Sequence, residues 1–147
     1  MRSGSTFAGV RRTVFARHSN PWSAWSRWAT APLILVPVWM RSWPHAAAVG
    51  AWFAVNPVLF PEPADRRAWA TKAILGEELW LAGHPRDAAL AVDAAATGAG
   101  MIALLGAWRR RPVPASVGIG ALMVLLLWYW ELMARYYETH RNADART

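Results

Sequence analysis

Four carboxylates stand in or beside apolar segments, where acidic residues are uncommon. Asp93 and Glu131 interrupt long apolar runs, and Glu77 and Glu78 are adjacent in a stretch rich in Leu and Trp. Charged side chains inside a membrane are costly and tend to be functional. In a dry site one carboxyl can hold a proton and donate it, while a second stays ionised beside an arginine. We therefore predict catalytic, acid–base roles for Glu77, Glu78, Asp93 and Glu131.

Two of these acids also have a structural alternative. Glu131 lies four residues before Arg135, and Asp93 lies four residues before Thr97. Residues at this spacing share one face of a helix, so each acid could be satisfied locally near the lipid headgroups. Both interpretations remain open on the sequence alone.

A second group of polar and aromatic residues suits ligand binding. Indole combines an apolar body, one N–H donor and a ring face that attracts cations, and the chain carries 11 tryptophans in 147 residues. An arginine can clamp an anionic headgroup through paired N–H donors. The predicted substrate-binding residues are His18, Asn20, Trp22, Trp25, Arg27, Asn56 and Trp80.

The composition is that of a membrane protein. Hydrophobic residues make up 55% and charged residues 17%, whereas soluble domains carry about 25% charged residues. The net charge is +7, but the basic residues flank apolar segments, so we expect anionic membrane lipids, and not nucleic acid, as partners. The absence of cysteine excludes disulfides and thiolate metal sites.

Several specific motifs are missing from the sequence. It has no phosphate-binding Gly-rich loop, no Rossmann pattern, no zinc-type helical histidine pair and no G-x-S-x-G elbow. We therefore predict neither a cofactor nor a metal. One alternative is a histidine–carboxylate metal site at the cytoplasmic face, which would draw on His18, Glu77, Glu78 and His84.

The elements that position these residues are predicted to be helices. Asn20-Pro21 is typical of an N-cap followed by a first-turn proline, while Pro32 and Pro37 should kink the helix that follows. The predicted fold is all-α: a four-helix transmembrane bundle with an amphipathic interfacial helix between spans 2 and 3. The spans cover approximately residues 21–43, 44–60, 88–108 and 115–137, and the interfacial helix covers 64–82, all in one membrane domain over 1–147.

The hairpin between spans 3 and 4 predicts a shared depth for two of the acids. Asp93 lies 18 residues before Arg111, and Glu131 lies 20 residues after it. On antiparallel helices that difference is roughly 3 Å along the axis. We expect both acids near the cytoplasmic level, together with Asn56, Glu77 and the segment around His18.

Charge predicts the orientation of the bundle in a cell (inner) membrane. The two termini and the central segment carry twelve of the 16 basic residues, and positive charge is retained in the cytoplasm. We therefore expect both termini inside. Residues 1–18 are basic and lack an apolar h-region followed by a small-residue cleavage site, so we also expect no cleavable signal peptide. The run Arg109 to Arg111 opposes this assignment.

Three motifs carry a family resemblance: HSNPWSAW with Arg27, NPVLFPEP, and Trp69 through GEELW. Together they cover about the middle third of the chain and resemble a family of small polytopic membrane proteins of unknown function. The resemblance implies an architecture but no reaction. Its signature residues would be His18, Asn20, Pro21, Trp22, Trp25, Arg27, Asn56, Pro57, Phe60, Pro61, Gly76, Glu77 and Trp80.

Two functions of different classes are consistent with these features. In the first, a cytoplasm-facing, Trp-lined polar pocket binds a hydrophobic or lipid-like molecule and acts on it by acid–base chemistry, for example isoprenoid cyclisation or isomerisation. In the alternative, the protein is a non-catalytic membrane subunit or scaffold. It would then form homo- or hetero-oligomers through small-residue faces of spans 2 and 3, where Ala94 and Gly98, and Ala95 and Ala99, recur at four-residue spacing.

Overall fold

The computed structural model describes residues 17–83 and 86–144, with side chains to residue 141. The described chain is helical and contains no strand. Its helices are α1 (Pro21–Thr30), α2 (Leu35–Met40), α3 (Trp43–Leu59), α4 (Trp69–Gly83), α5 (Ala88–Trp108) and α6 (Pro112–Asp144), with a 3₁₀ turn, Ala31–Ile34, between α1 and α2.

Helices α5 and α6 form an antiparallel hairpin that is held together by small residues. A Cβ atom at Gly118 would come within 3 Å of the backbone of Ala99 and Ala103, and one at Gly106 would meet the backbone of Ala115. Arg110 closes the connecting turn with a positive φ of 53°. Ala88–Trp108 and Pro112–Arg141 are the two described helices long and apolar enough to cross a membrane, judged by length and composition.

The predicted small-residue face of α5 differs from the face that packs against α6. Ala96, Ala99 and Ala103 are buried, whereas Ala94, Ala95 and Gly98 are exposed. Small residues occur on both sides of this helix, so four-residue spacing alone does not identify the packed side.

The first apolar segment is interrupted, as its prolines predict. Asn20 caps α1 as predicted, because its side chain accepts a hydrogen bond of 2.9 Å from the Trp22 amide. The 3₁₀ turn begins next to Pro32, and α2 ends at Met40. The residue that follows it, Arg41, has a φ of 50° in the left-handed region. The segment predicted as one span over 21–43 is therefore two short helices joined by a tight turn.

Helix α3 returns antiparallel to α1. Trp52 Nε1 donates to Thr30 Oγ1 at 2.8 Å, and the side chain of Asn20 donates to the Pro61 carbonyl at 2.9 Å. At about 1.5 Å per residue, the 17 residues of α3 extend roughly 26 Å.

Helix α4 begins at Trp69, five residues later than predicted, and runs antiparallel to the second half of α6. Lys72 Nζ lies 2.6 Å from Glu138 Oε1, and Gly76 lies against the backbone of Met133. The core is formed here by apolar side chains of α1, α4, α5 and α6, with Met133 and Ile74 almost fully buried. Ser19, just before α1, and Pro61, just after α3, lie at this same end of the molecule.

The two ends of the bundle differ in chemistry. We call the end that holds Asn20, Pro61, Asp87 and Tyr129 the polar end. The opposite end is the arginine end, formed by Arg41, Trp43, Trp108 and residues 109–111. Arg41 Nη2 donates to the Trp108 carbonyl there at 3.3 Å, which ties the end of α2 to the end of α5.

Candidate functional site

His18 and Arg27 form a close pair at the polar end. Arg27 Nη1 lies 2.8 Å from Nδ1 and 2.9 Å from Nε2 of the imidazole, while Arg27 Nε donates to the Ser23 carbonyl at 3.2 Å. A guanidinium can only donate and a neutral imidazole has one acceptor nitrogen, so no more than one of the two contacts is a hydrogen bond, and the arrangement favours a neutral ring. Burial and the charge of Arg27 accordingly lower the pKa of His18 to about 4.

Glu77 is the acid whose charge interacts with Arg27 of this pair. The Tyr129 hydroxyl donates to Glu77 Oε1 at 3.3 Å. Burial raises the pKa of the Glu77 carboxyl, an effect that the Tyr129 hydrogen bond and the Arg27 charge oppose and the Asp93 charge reinforces. Residues from four separate segments of the chain, His18, Arg27, Glu77 and Tyr129, therefore form one polar cluster.

Asp93 and Trp80 lie beside this cluster. Asp93 is exposed on α5, at a distance from which its charge acts on Glu77. Trp80 Nε1 donates to both carboxylate oxygens of Asp87, at 3.2 and 3.1 Å, and its ring meets the Tyr129 ring edge-on at 6.2 Å. Asp87 also caps α5 by accepting from the amides of Ala89 and Leu90.

Glu131 and Glu78 lie away from the cluster. Glu131 accepts from Trp69 Nε1 at 2.8 Å and from Arg135 Nε at 2.7 Å. The bond with Arg135 is the local pairing that the four-residue spacing allowed. The bond with Trp69 comes from α4. Glu78 points instead to a cavity of about 320 Å³ that Glu62 and Tyr137 also line. The adjacent acids 77 and 78 thus face different surroundings.

Asn56 and Asn20 hold helices together. Asn56 is fully buried, accepts from Ser23 Oγ at 2.9 Å and donates to Ser26 Oγ at 2.8 Å. Thr71 Oγ1 donates to the Ser19 carbonyl at 2.7 Å, which ties α4 to the same segment. These bonds satisfy buried polar groups across α1, α3 and α4, so the present partners of both asparagines are structural.

The predicted tryptophans divide into a packed group and an exposed one. Trp25 stacks on Trp69 with ring centroids 5.8 Å apart, and meets Trp28 and Trp130 edge-on at 5.8 and 5.9 Å. Trp22 is 75% exposed on the adjoining surface. The packed indoles contact one another and form one aromatic cluster, made of Trp25, Trp28, Trp69 and Trp130.

Two residues of this site were not identified from the sequence. Tyr129 lies in an almost purely apolar run, and no local pattern distinguishes it from a membrane-interface aromatic residue. Asp87 was recognisable, because an Asp directly before an apolar helical run is a typical N-cap. Neither spacing nor periodicity could have paired it with Trp80.

Within residues 17–83 and 86–144, no group of three His, Asp or Glu side chains converges that could hold a metal ion. His84, the fourth member of the predicted pool, lies outside the described residues.

The arrangement can bind an anion and exchange a proton. Arg27 supplies a half-buried positive charge, and Glu77 is an acid that burial biases towards its neutral, donating form. Tyr129 can hold the orientation of that carboxyl through its hydroxyl. His18, Arg27 and Glu77 are each partly solvent-accessible.

Comparison with known proteins places the chain in a family. No curated protein and no solved structure gives a significant match. The model of the family of unknown function DUF6653 matches residues 2–146. Because this match covers nearly all of the 147 residues, the chain belongs to the DUF6653 family.

Proposed function

We propose that the protein is an integral membrane protein whose chain crosses the bilayer four times, with α4 at the cytoplasmic boundary. Helices α5 and α6 meet the length and composition that a span requires. The segment from Pro21 to Met40 and helix α3 run between the same two ends of the bundle as this hairpin. Twenty helical residues extend about 30 Å, which is the thickness of the hydrocarbon core.

The surface between the two ends supports this placement. Large apolar side chains are exposed along the bundle, among them Met101, Val117 and Val124. Exposed indoles flank them, with Trp22 and Trp128 towards the polar end and Trp43 and Trp108 at the arginine end. Tryptophan concentrates at both membrane–water interfaces, so this distribution is typical of a spanning bundle.

The polar end faces the cytoplasm in this proposal, with both termini on that side. Eight of the twelve basic residues that the structure describes lie at this end, in keeping with the retention of positive charge inside the cell. The polar cluster would then lie at the level of the inner-leaflet headgroups.

The proposed activity is binding of a hydrophobic or lipid-like molecule at this cluster, with acid–base chemistry on it. Arg27 holds the anionic or polar head of the ligand, and its apolar part lies along the lipid-facing surface. Glu77 in its neutral form donates the proton, and its carboxylate takes one back from a neighbouring carbon. Isomerisation or cyclisation of an isoprenoid is a reaction of this kind, since the two proton transfers balance.

One observation carries this proposal: a half-buried acid, Glu77, accepts from Tyr129 within electrostatic reach of Arg27 at the end of an apolar bundle. Burying a charged group costs free energy, which favours the neutral, proton-donating form of this acid. Sites that bind and protonate a ligand use such acids.

Identification of co-purifying amphiphiles by mass spectrometry tests the proposal. We expect the full-length protein to retain a molecule with an anionic or polar head that is enriched over bulk membrane lipid. Arg27→Gln and Glu77→Gln should reduce that enrichment at least tenfold, the effect of about 1.4 kcal/mol. Glu78→Gln is the matched control, because Glu78 lies on another face and should leave retention unchanged.

Retention that is equal in all four proteins, or no enriched molecule in the wild type, would contradict the proposal. Asp93→Asn adds a graded variant, because Asp93 acts on Glu77 only through its charge. A severalfold change in retention is expected for it.

A second candidate function, a non-catalytic subunit, is favoured by open space at two glycines. A Cβ atom at Gly50 of α3 or at Gly98 of α5 would meet no neighbour within 4 Å. Exposed small residues of this kind let a partner helix approach closely in lipid. Gly98→Leu should abolish a cellular phenotype that Glu77→Gln leaves intact if docking is the function. The reverse pattern supports the ligand site.

A further inference from the structure

The arginine end contains an apolar crevice between α2 and α5. Two adjoining cavities, of about 340 and 450 Å³, share Val38 and Trp108 as lining residues. The first extends to Trp43, and the second extends along Met101 and Leu105. The two cavities adjoin at Val38 and Trp108, and apolar side chains provide most of their lining.

The mouth of this crevice is held by Arg41. Its guanidinium carbon lies 5.0 Å from the centre of the Trp108 ring, and Nη2 donates to the Trp108 carbonyl. A guanidinium has five N–H donors, so most of them are not used by this contact. The left-handed backbone at Arg41 ends α2 and starts the turn that separates α2 from α3.

Positive charge surrounds the crevice without any acid of the bundle to balance it. Arg109 and Arg111 line a third, smaller cavity of about 170 Å³, which shares Ile102 and Leu105 with the second one. The sequence contains no Asp or Glu from residue 28 to residue 61 or from residue 94 to residue 130. The charge complement of this end is therefore an anion.

We propose that this crevice seats a glycerophospholipid with an anionic headgroup, with an acyl chain along Val38, Met101 and Leu105 and the phosphate at Arg41 and Arg109 to Arg111. An apolar crevice bordered by Arg41, Arg109 and Arg111 and by the indoles of Trp43 and Trp108 matches such an amphiphile in its chemistry. The site is separate from the polar cluster, which lies at the opposite end. It also explains how an arginine run remains on the side that the distribution of basic residues disfavours.

Native mass spectrometry of the full-length protein with phosphatidylglycerol and phosphatidylcholine of identical acyl chains tests this proposal. We expect the wild type to retain phosphatidylglycerol at least fivefold more tightly. A surface arginine contributes about 1 kcal/mol to binding of anionic lipid, so Arg41→Gln should weaken that binding about fivefold. Arg67→Gln, an exposed arginine near the polar end, is the charge-matched control and should change nothing.

Substitutions of Trp108, which lines both cavities, test the apolar part of the proposed lipid site. Trp108→Ala should weaken both lipids, whereas Trp108→Phe keeps an aromatic wall and should weaken them less. Inorganic phosphate should not displace the lipid at concentrations that leave the protein folded, because the acyl chain supplies part of the affinity.

Three outcomes would overturn the proposal. The first is equal retention of the two lipids by the wild type, and the second is displacement of the lipid by phosphate alone. The third is a lipid-free dimer in the wild type that becomes a monomer in Arg41→Gln. Arg41→Gln should leave unchanged the retention of the amphiphile proposed for the polar cluster, because Arg41 lies at the opposite end of the bundle. A failure here is thereby distinguishable from a failure of the function proposed for the polar end.

Discussion

Gly76 of α4 lies directly against the backbone of Met133 of α6, and a methyl group at position 76 would overlap the Met133 carbonyl oxygen. The obstacle is main chain and cannot rotate away, so the two helices must separate to admit any side chain. This contact sets the distance between the helix that carries Glu77 and the helix that carries Tyr129.

Gly76→Ala should therefore destabilise the protein despite the better helix propensity of alanine. Overpacking of this kind costs about 1–3 kcal/mol, and we expect the upper part of that range because backbone is involved. Thermal unfolding in detergent, followed by circular dichroism, measures it. Gly98→Ala is the matched control: its Cβ has open space, so its stability should rise slightly. Equal effects of the two variants would contradict the packing role.

Asn56→Ala should also destabilise the protein. It removes the 2.9 Å bond that Ser23 Oγ donates to Asn56 Oδ1, so this fully buried hydroxyl keeps only a 3.4 Å contact with the backbone carbonyl of residue 56, and a poorly satisfied buried group costs about 1–3 kcal/mol. Ser26→Ala, which removes one hydroxyl and leaves the Ser23 bond, should cost less. If Asn56→Ala reduces ligand retention without changing the unfolding temperature, Asn56 is a ligand contact and the structural role is wrong.

Tyr129→Phe should raise the pKa of Glu77 further, because the hydrogen bond from Tyr129 is one of the effects that lowers it. The carbonyl stretch of a neutral carboxyl, recorded by infrared spectroscopy across a pH series, reports this change. Subtracting the spectra of Glu77→Gln assigns the band to Glu77. A band that titrates identically with and without the Tyr129 hydroxyl would rule out the contact.

His18 should make stability depend on pH with a definite sign. The folded-state pKa is lowered to about 4 from the ordinary value of 6.5, so between these values the unfolded chain binds more protons. Stability from His18 is thus fully present above pH 6.5 and decreases as the pH falls towards 4. The raised pKa of Glu77 acts in the opposite direction, because the folded state then binds the extra proton.

Comparison with His18→Gln isolates the histidine contribution. Glu77 and Arg27 are unchanged in that variant, so the difference in unfolding temperature between the two proteins should shrink as the pH falls from 7 to 5. A difference that stays constant across this range would show that His18 is not held neutral.

The absence of native cysteine makes the proposed orientation directly testable. Arg110→Cys should react in intact cells with a thiol reagent that cannot cross the membrane, and Thr139→Cys should react only after the cells are opened. Both positions are exposed in the structure, so access depends on the side of the membrane. Labelling of Thr139→Cys alone in intact cells would invert the topology.

Local features of the chain could be predicted because each depends on residues a few positions apart. The Asn20 cap, the interruption at Pro32 and the extent of α5 follow from hydrogen-bonding needs and apolar length. The predicted start of α4 lies five residues too early, since residues 64–68 fit a helix pattern as well as they fit a loop.

The grouping of the acids was predictable only as far as their depth. The hairpin arithmetic brings Asp93 and Glu131 to one end of the bundle, and the structure has both there. The arithmetic could not show that Glu131 accepts hydrogen bonds from Trp69 and Arg135, whereas the charge of Asp93 acts on Glu77.

The sequence by itself determined that this protein is helical, apolar and rich in indole, and that its few acids collect near one end. Only the tertiary structure decided which side chains meet: Arg27 with His18, Glu77 with Tyr129, and Asn56 with Ser23. The reason is rotational. One residue turns a helix by about 100°, so contacts across helices depend on how each helix is rotated against its neighbours. That rotation is set by close contacts such as Gly76 on Met133.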